Sequence, residues 1–163
     1  MKTLYLLRHG QAKWPEAGQD DFQRTLSPKG ELDAQIMAQK VVQNATAPEI
    51  IICSNAPRAF DTAKLIALEI NLAEENIQAE ERLYLAGKLA LFSTLIDIKP
   101  AIESLLLVGH NPGLTEFARY LAGRPFPSLP PCGLVCIEFN HQQWNNLIEG
   151  SGKLAFFAEP DMI

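Results

Sequence analysis

Ser104-Leu105-Leu106-Leu107-Val108, followed at once by Gly109-His110-Asn111-Pro112-Gly113, reads as a strand buried on both faces that runs straight into a helix. Four successive apolar side chains leave no polar face, which suits the interior of a parallel sheet rather than a surface open to water. Asn111 is a good capping residue and Pro112 fits a first helical turn. Leu114, Phe117, Ala118 and Leu121 then share one helical face, and Gly123 ends it. The same grammar recurs upstream. Residues 3–7 form a short apolar strand, a polar loop covers 11–26, and Ser27-Pro28 opens a helix with Ala34, Met37, Ala38 and Val41 on its inner face, closing near Asn44. Residues 49–53 make a second strand. After Ser54-Asn55-Ala56-Pro57 comes a helix that buries Ala59, Ala63, Ile66 and Ile70. Residues 77–79 suggest a short strand, and Leu85, Leu89, Phe92 and Ile96 mark a third helix closed by Pro100. The strands at 134–139 and 153–158 are joined by a loop too polar to cover a sheet, so they should pair antiparallel at one edge. The alternation predicts a three-layer α/β/α sandwich with a mostly parallel sheet, an antiparallel edge and no large cap insertion, in a single domain spanning 1–163.

Composition narrows the classes of partner. The 163 residues carry 14 Lys and Arg against 19 Asp and Glu, a net charge of −5, and the cations are scattered singly. A general nucleic-acid or anionic-membrane surface is therefore not expected. No apolar run approaches the roughly 20 residues of a membrane helix. Arg8 interrupts the N-terminal apolar run too early for a secretory signal, so the chain reads as cytoplasmic. Cys53, Cys132 and Cys136 lie in apolar stretches and read as reduced core thiols.

In open α/β sheets ligands bind beyond the carboxyl ends of the strands, which makes the residues following each strand the candidates for chemistry. The first strand runs into Arg8-His9-Gly10, the second reaches Arg58 across a short loop, and the fourth runs into Gly109-His110. One Arg-His pair after a strand would be an ordinary surface feature; Arg8-His9 joined by Arg58 and by His110 at two further strand ends is not. Two arginines and two histidines on one edge make a compact positive pocket suited to phosphate. Arginine offers phosphoryl oxygens paired, charge-assisted hydrogen bonds, and a neutral imidazole can attack phosphorus. His141, beside Gln142 and Gln143, reads as solvated surface, and Trp14 and Trp144 read as packing residues.

Three of these segments also carry a family resemblance. Leu6-Leu7-Arg8-His9-Gly10-Gln11-Ala12, Cys53-Ser54-Asn55-Ala56-Pro57-Arg58-Ala59 and Val108-Gly109-His110-Asn111-Pro112-Gly113 resemble the three motifs of the histidine phosphatase, or phosphoglycerate mutase-like, superfamily. The short length, Arg82-Leu83-Tyr84, Pro131-Cys132-Gly133, Trp144 and Phe156 look most like its SixA-type phosphohistidine phosphatases. The resemblance implies a phosphoglycerate mutase-like fold, His9 as a nucleophile that takes the phosphoryl group, and Arg8, Arg58 and His110 cradling the phosphate. It implies no metal and no organic cofactor. The implied partner is a phosphohistidine-bearing phosphotransfer domain or a small phosphate ester, with a role in signal transduction.

Two departures bear on the substrate. Pro15 stands where many superfamily mutases and phosphomonoesterases have an asparagine, and the acidic proton donor often found after the third strand has only Glu80 and Glu81 nearby, with Glu81 the candidate. A missing general acid matters for an alkoxide but less for an imidazole that is protonated on its second nitrogen. Both departures point toward N–P cleavage. The alternatives are a phosphomonoesterase acting on small metabolites or phosphoserine-type substrates, and a non-catalytic phosphate-binding module. A cysteine phosphatase does not fit, because only four residues separate Cys53 from Arg58.

Overall fold

The computed structural model describes residues 1–140 and 142–162. Its six strands are β1 (Lys2–Arg8), β2 (Ile50–Ser54), β3 (Ile77–Glu80), β4 (Ser104–Gly109), β5 (Leu134–Phe139) and β6 (Lys153–Ala158). They lie in the order β3-β2-β4-β1-β5-β6. The first four strands are mutually parallel, while β5 and β6 run antiparallel, which gives the expected edge.

Strand alternation sorts the core onto two faces. Leu4 and Leu6 of β1 and Leu105 and Leu107 of β4 pack with Phe117 and Leu121 of helix α4 (Gly113–Ala122) and with Leu91 and Leu95 of α3 (Lys88–Ile96). Tyr5, Leu7, Leu106 and Val108 face the other way. They meet Met37 and Val41 of α1 (Pro28–Gln43) and Ala59, Ala63 and Ile66 of α2 (Pro57–Glu69). These are the three layers read from the sequence. Helix α1 starts as expected, with the Ser27 side chain accepting from the Gly30 N–H, and α4 ends at Gly123, whose φ of 64° suits glycine. All three cysteines are free and buried, and burial pushes each thiol up to about 12.

Three local expectations are corrected. The inner stripe of α3 is Leu91, Thr94 and Leu95, whereas Leu85, Leu89 and Ile96 are exposed. The helix begins only at Lys88, and Leu85 precedes it at a φ of 50°, so a period that starts at Leu85 starts outside the helix. Helix α4 begins one residue later than the proline pattern suggests, with Pro112 at the capping position. The Asn111 side chain still accepts from Thr115 N at 3.2 Å and Thr115 Oγ1 at 2.8 Å. Trp144 is buried, its indole N–H bonded to the Ile102 carbonyl at 2.7 Å, but Trp14 is 88% exposed and packs into no core. Among the described residues, no helix is long and apolar enough to cross a membrane.

Candidate active site

Sheet register brings the two motif histidines together. Arg8 pairs with Gly109 in the β1–β4 ladder, and the His9 N–H donates to the Gly109 carbonyl at 3.1 Å. His9 and His110 therefore leave adjacent parallel strands at the same level, with ring centroids 5.0 Å apart. Strand β2 ends at Ser54, whose Oγ lies 2.8 Å from His110 Nε2, and Arg58 stands one residue into α2. Thr62 ties the two motifs: its hydroxyl accepts from the Gly10 N–H at 3.0 Å and donates to the Arg58 carbonyl at 2.7 Å. Gly10 is required by close approach, since a Cβ there would sit 2.9 Å from the Gly30 carbonyl oxygen.

Arg8, His9, Arg58 and His110 all line one cavity of about 360 Å³ at the carboxyl end of the sheet. His9 Nδ1 donates to the Gly10 carbonyl at 2.7 Å, which leaves Nε2 carrying the lone pair. That nitrogen faces Arg58 Nε at 3.4 Å. Arg8 Nη1 donates to the Leu129 carbonyl at 3.0 Å. Arg8 Nε and His110 Nδ1 are buried with no hydrogen-bond partner among the described residues. Buried nitrogens are nearly always paired, so two such atoms on residues of one cavity suit a polar ligand rich in acceptors.

Electrostatics keeps both imidazoles neutral. Burial, then the charges of Arg58, Arg8 and Arg24, push His9 down to about 4, against the pull of its bond to Gly10. Burial, then His9 and Arg58, push His110 down to about 3. Because both titrate below the ordinary value of 6.5, the unfolded chain binds more protons than the folded one in acid. Their contribution to stability is full above about pH 6.5 and is lost as the pH falls toward the folded values. Urea unfolding between pH 7 and pH 4 should show wild type losing roughly 3 kcal/mol more than His9→Gln. Parallel pH profiles for the two proteins would contradict the buried, neutral His9.

The site also holds residues that the sequence did not single out. Asp21, from the 11–26 loop, accepts from Arg58 Nη2 at 2.9 Å through Oδ2 and from Arg58 Nη1 at 2.7 Å through its backbone carbonyl. Tyr84 donates its hydroxyl to the same Oδ2 at 2.5 Å and sets its ring edge-to-face on His110 at 5.2 Å. Arg24 Nη1 reaches Asp21 Oδ1 at 3.1 Å. Trp14 and Leu85 put exposed apolar surface at the rim. Glu81 is exposed and is not among the residues lining the cavity, whereas Tyr84, just after the 3₁₀ turn Glu81–Leu83, touches Asp21 and His110. His141 lies outside the described residues. Among the described residues, no three His, Cys, Asp or Glu side chains gather as a metal-ligand set.

Paired neutral imidazoles and two arginines at the carboxyl edge of the parallel strands make an arrangement chemically suited to an anionic group. The chain belongs to the histidine phosphatase superfamily (branch 1), whose family model matches residues 4–84. An uncharacterised protein of Picosynechococcus sp. is 33% identical over 122 residues, covering 73% of this chain and 72% of its own. The crystal structure of a putative phosphohistidine phosphatase SixA from Agrobacterium tumefaciens superposes with a TM-score of 0.82 at 25% identity, covering 98% of each chain. A protein histidine phosphatase SixA complexed with tungstate shares the fold, with a TM-score of 0.83 at 18% identity and the same coverage. The fold is that of the SixA structures, and family and neighbours support phosphatase activity.

Proposed function

We propose that the protein hydrolyses phosphohistidine on a signalling protein through a covalent phospho-His9 intermediate. The observation that carries this reading is the fixed tautomer of His9: its Nδ1 proton is held by the Gly10 carbonyl, and its unprotonated Nε2 accepts from Arg58 Nε at 3.4 Å. A nucleophile needs its lone pair aimed into the site and unprotonated at neutral pH, and burial among arginines keeps His9 in that form. Arg8, Arg58 and His110 would bind the phosphoryl oxygens and stabilise the charge they carry in the transition state. The substrate imidazole departs first; water then attacks the phosphorus of phospho-His9 and releases inorganic phosphate.

Two features favour a histidine-phosphorylated protein over a small ester. Glu81 is exposed and is not among the residues lining the cavity, so the lining offers no acid at that position to an alkoxide. The mouth is rimmed by Trp14, 88% exposed, and Leu85, 56% exposed, apolar surface of the kind that meets another protein. The test is phosphate release from a histidine-phosphorylated phosphotransfer domain, with an aryl phosphate and a phosphoserine peptide in parallel. The expected result is a higher kcat/KM on the phosphohistidine domain than on either ester. Release from the esters alone would replace this reading with a phosphomonoesterase, and release from none with a binding module.

A further inference from the structure

We propose that Asp21 is the specificity-determining residue of this site, its carboxylate accepting the N–H of a phosphohistidine ring that is protonated on the nitrogen opposite the phosphorylated one. The inference rests on the phosphohistidine reading and deepens it. The Arg58 guanidinium carries the geometry. Its Nε end faces His9 Nε2 at 3.4 Å, and its Nη2 end holds Asp21 Oδ2 at 2.9 Å. A phosphoryl group seated on this guanidinium has the attacking imidazole toward one end and the carboxylate toward the other. That is the order an in-line displacement requires, nucleophile on one side and leaving group on the other.

Asp21 is the only carboxylate among the described residues lining the cavity. It is held as an acceptor rather than an acid. The Tyr84 hydroxyl, Arg58 and Arg24 all donate to it, and together they keep the carboxyl well below the usual carboxylate range. An ionised carboxylate has no proton to give an alkoxide, and it repels the anionic oxygen of a departing ester. It attracts a protonated imidazole. In the transfer, the P–N bond to the substrate ring breaks and its electron pair stays on that ring nitrogen, while the His9 Nε2 lone pair forms the new P–N bond. The proton on the distal substrate nitrogen stays in place, hydrogen-bonded to Asp21, so the protonated phosphoimidazole ring leaves as neutral imidazole and needs no further proton during the transfer. The same carboxylate opposes ester leaving groups, so selectivity for N–P bonds follows from attraction and repulsion together.

The experiment measures kcat/KM of wild type, Asp21→Asn and Asp21→Ala on phosphoimidazole and on p-nitrophenyl phosphate. Each variant is compared with itself on two substrates, so the ratio does not depend on the folded fraction. Both variants should lose about 10- to 100-fold on phosphoimidazole, the scale of one hydrogen bond to a charged group, and should gain on p-nitrophenyl phosphate. A ratio that stays at the wild-type value, with both activities falling together, would overturn the assignment and leave Asp21 as a residue that only orients Arg58. Wild type that hydrolyses p-nitrophenyl phosphate but not phosphoimidazole would overturn the phosphohistidine reading itself, and this inference with it.

Discussion

His9→Ala should abolish phosphate release, lowering kcat by roughly four orders of magnitude or more, as removal of a covalent nucleophile does in other enzymes. The protein should stay folded. His9 follows β1 instead of filling the core, and the hydrogen bonds that fix its loop come from backbone groups: His9 N–H to the Gly109 carbonyl, and Gly10 N–H to Thr62. Arg58 loses its neighbour at Nε but keeps both bonds to Asp21, so no charge is stranded in the interior. The check is single-turnover phosphate release beside a circular dichroism melt. An unfolded variant would leave the kinetic result without meaning, so His9→Gln, which keeps polar bulk, should be run with it. Substantial turnover by either folded variant would remove His9 from the reaction.

Arg58→Ala should cost about 2 to 4 kcal/mol of transition-state stabilisation, or roughly 30- to 1,000-fold in kcat/KM. Arg58 is 3% exposed, and three of its nitrogens are already directed at site groups, namely His9 Nε2, the Asp21 carboxylate and the Asp21 carbonyl. Its planar edge can hold two phosphoryl oxygens at once, which a lysine cannot, so Arg58→Lys should recover only part of the loss. A kcat/KM within about threefold of wild type in Arg58→Ala would place the guanidinium outside the transition state. On p-nitrophenyl phosphate the two sites should part in sign, Arg58→Ala falling where Asp21→Ala gains, if Arg58 serves every phosphoryl substrate and Asp21 a particular leaving group.

The layers of the fold and the four motif residues were legible because their signals are local. An apolar run of four ending in Gly109-His110 is a strand end wherever it falls, and the parallel register then sets His9 beside His110 without further information. Asp21 was not legible. It lies in a polar loop with no periodicity, and its place over Arg58 depends on how residues 11–26 return to the sheet through the Ala12–Leu26 bridge. Tyr84 is visible in the sequence only as part of a resembling stretch, and Glu81, three residues before it, is the nearby carboxylate that the superfamily resemblance favours as an acid. A 3₁₀ turn decides between them, and turns of that length leave little mark on a sequence. The stripe assigned to α3 failed for a related reason. Leu85 and Leu89 satisfy a helical period, but Gly87 holds the chain extended between them, with a ψ of −173°. Trp14 shows the limit of reading hydrophobicity as burial, since this large aromatic lines the cavity and is 88% exposed.

The most direct measurement is the mass and position of a phosphoryl group on the enzyme itself, trapped by rapid alkaline quench during turnover of a histidine-phosphorylated phosphotransfer domain. The expected result is one alkali-stable, acid-labile phosphoryl group per chain, mapped to His9 and formed and consumed at rates that match phosphate release. Phosphate release with the label on His110, or with no phosphoenzyme at any quench time, would contradict a covalent phospho-His9 intermediate.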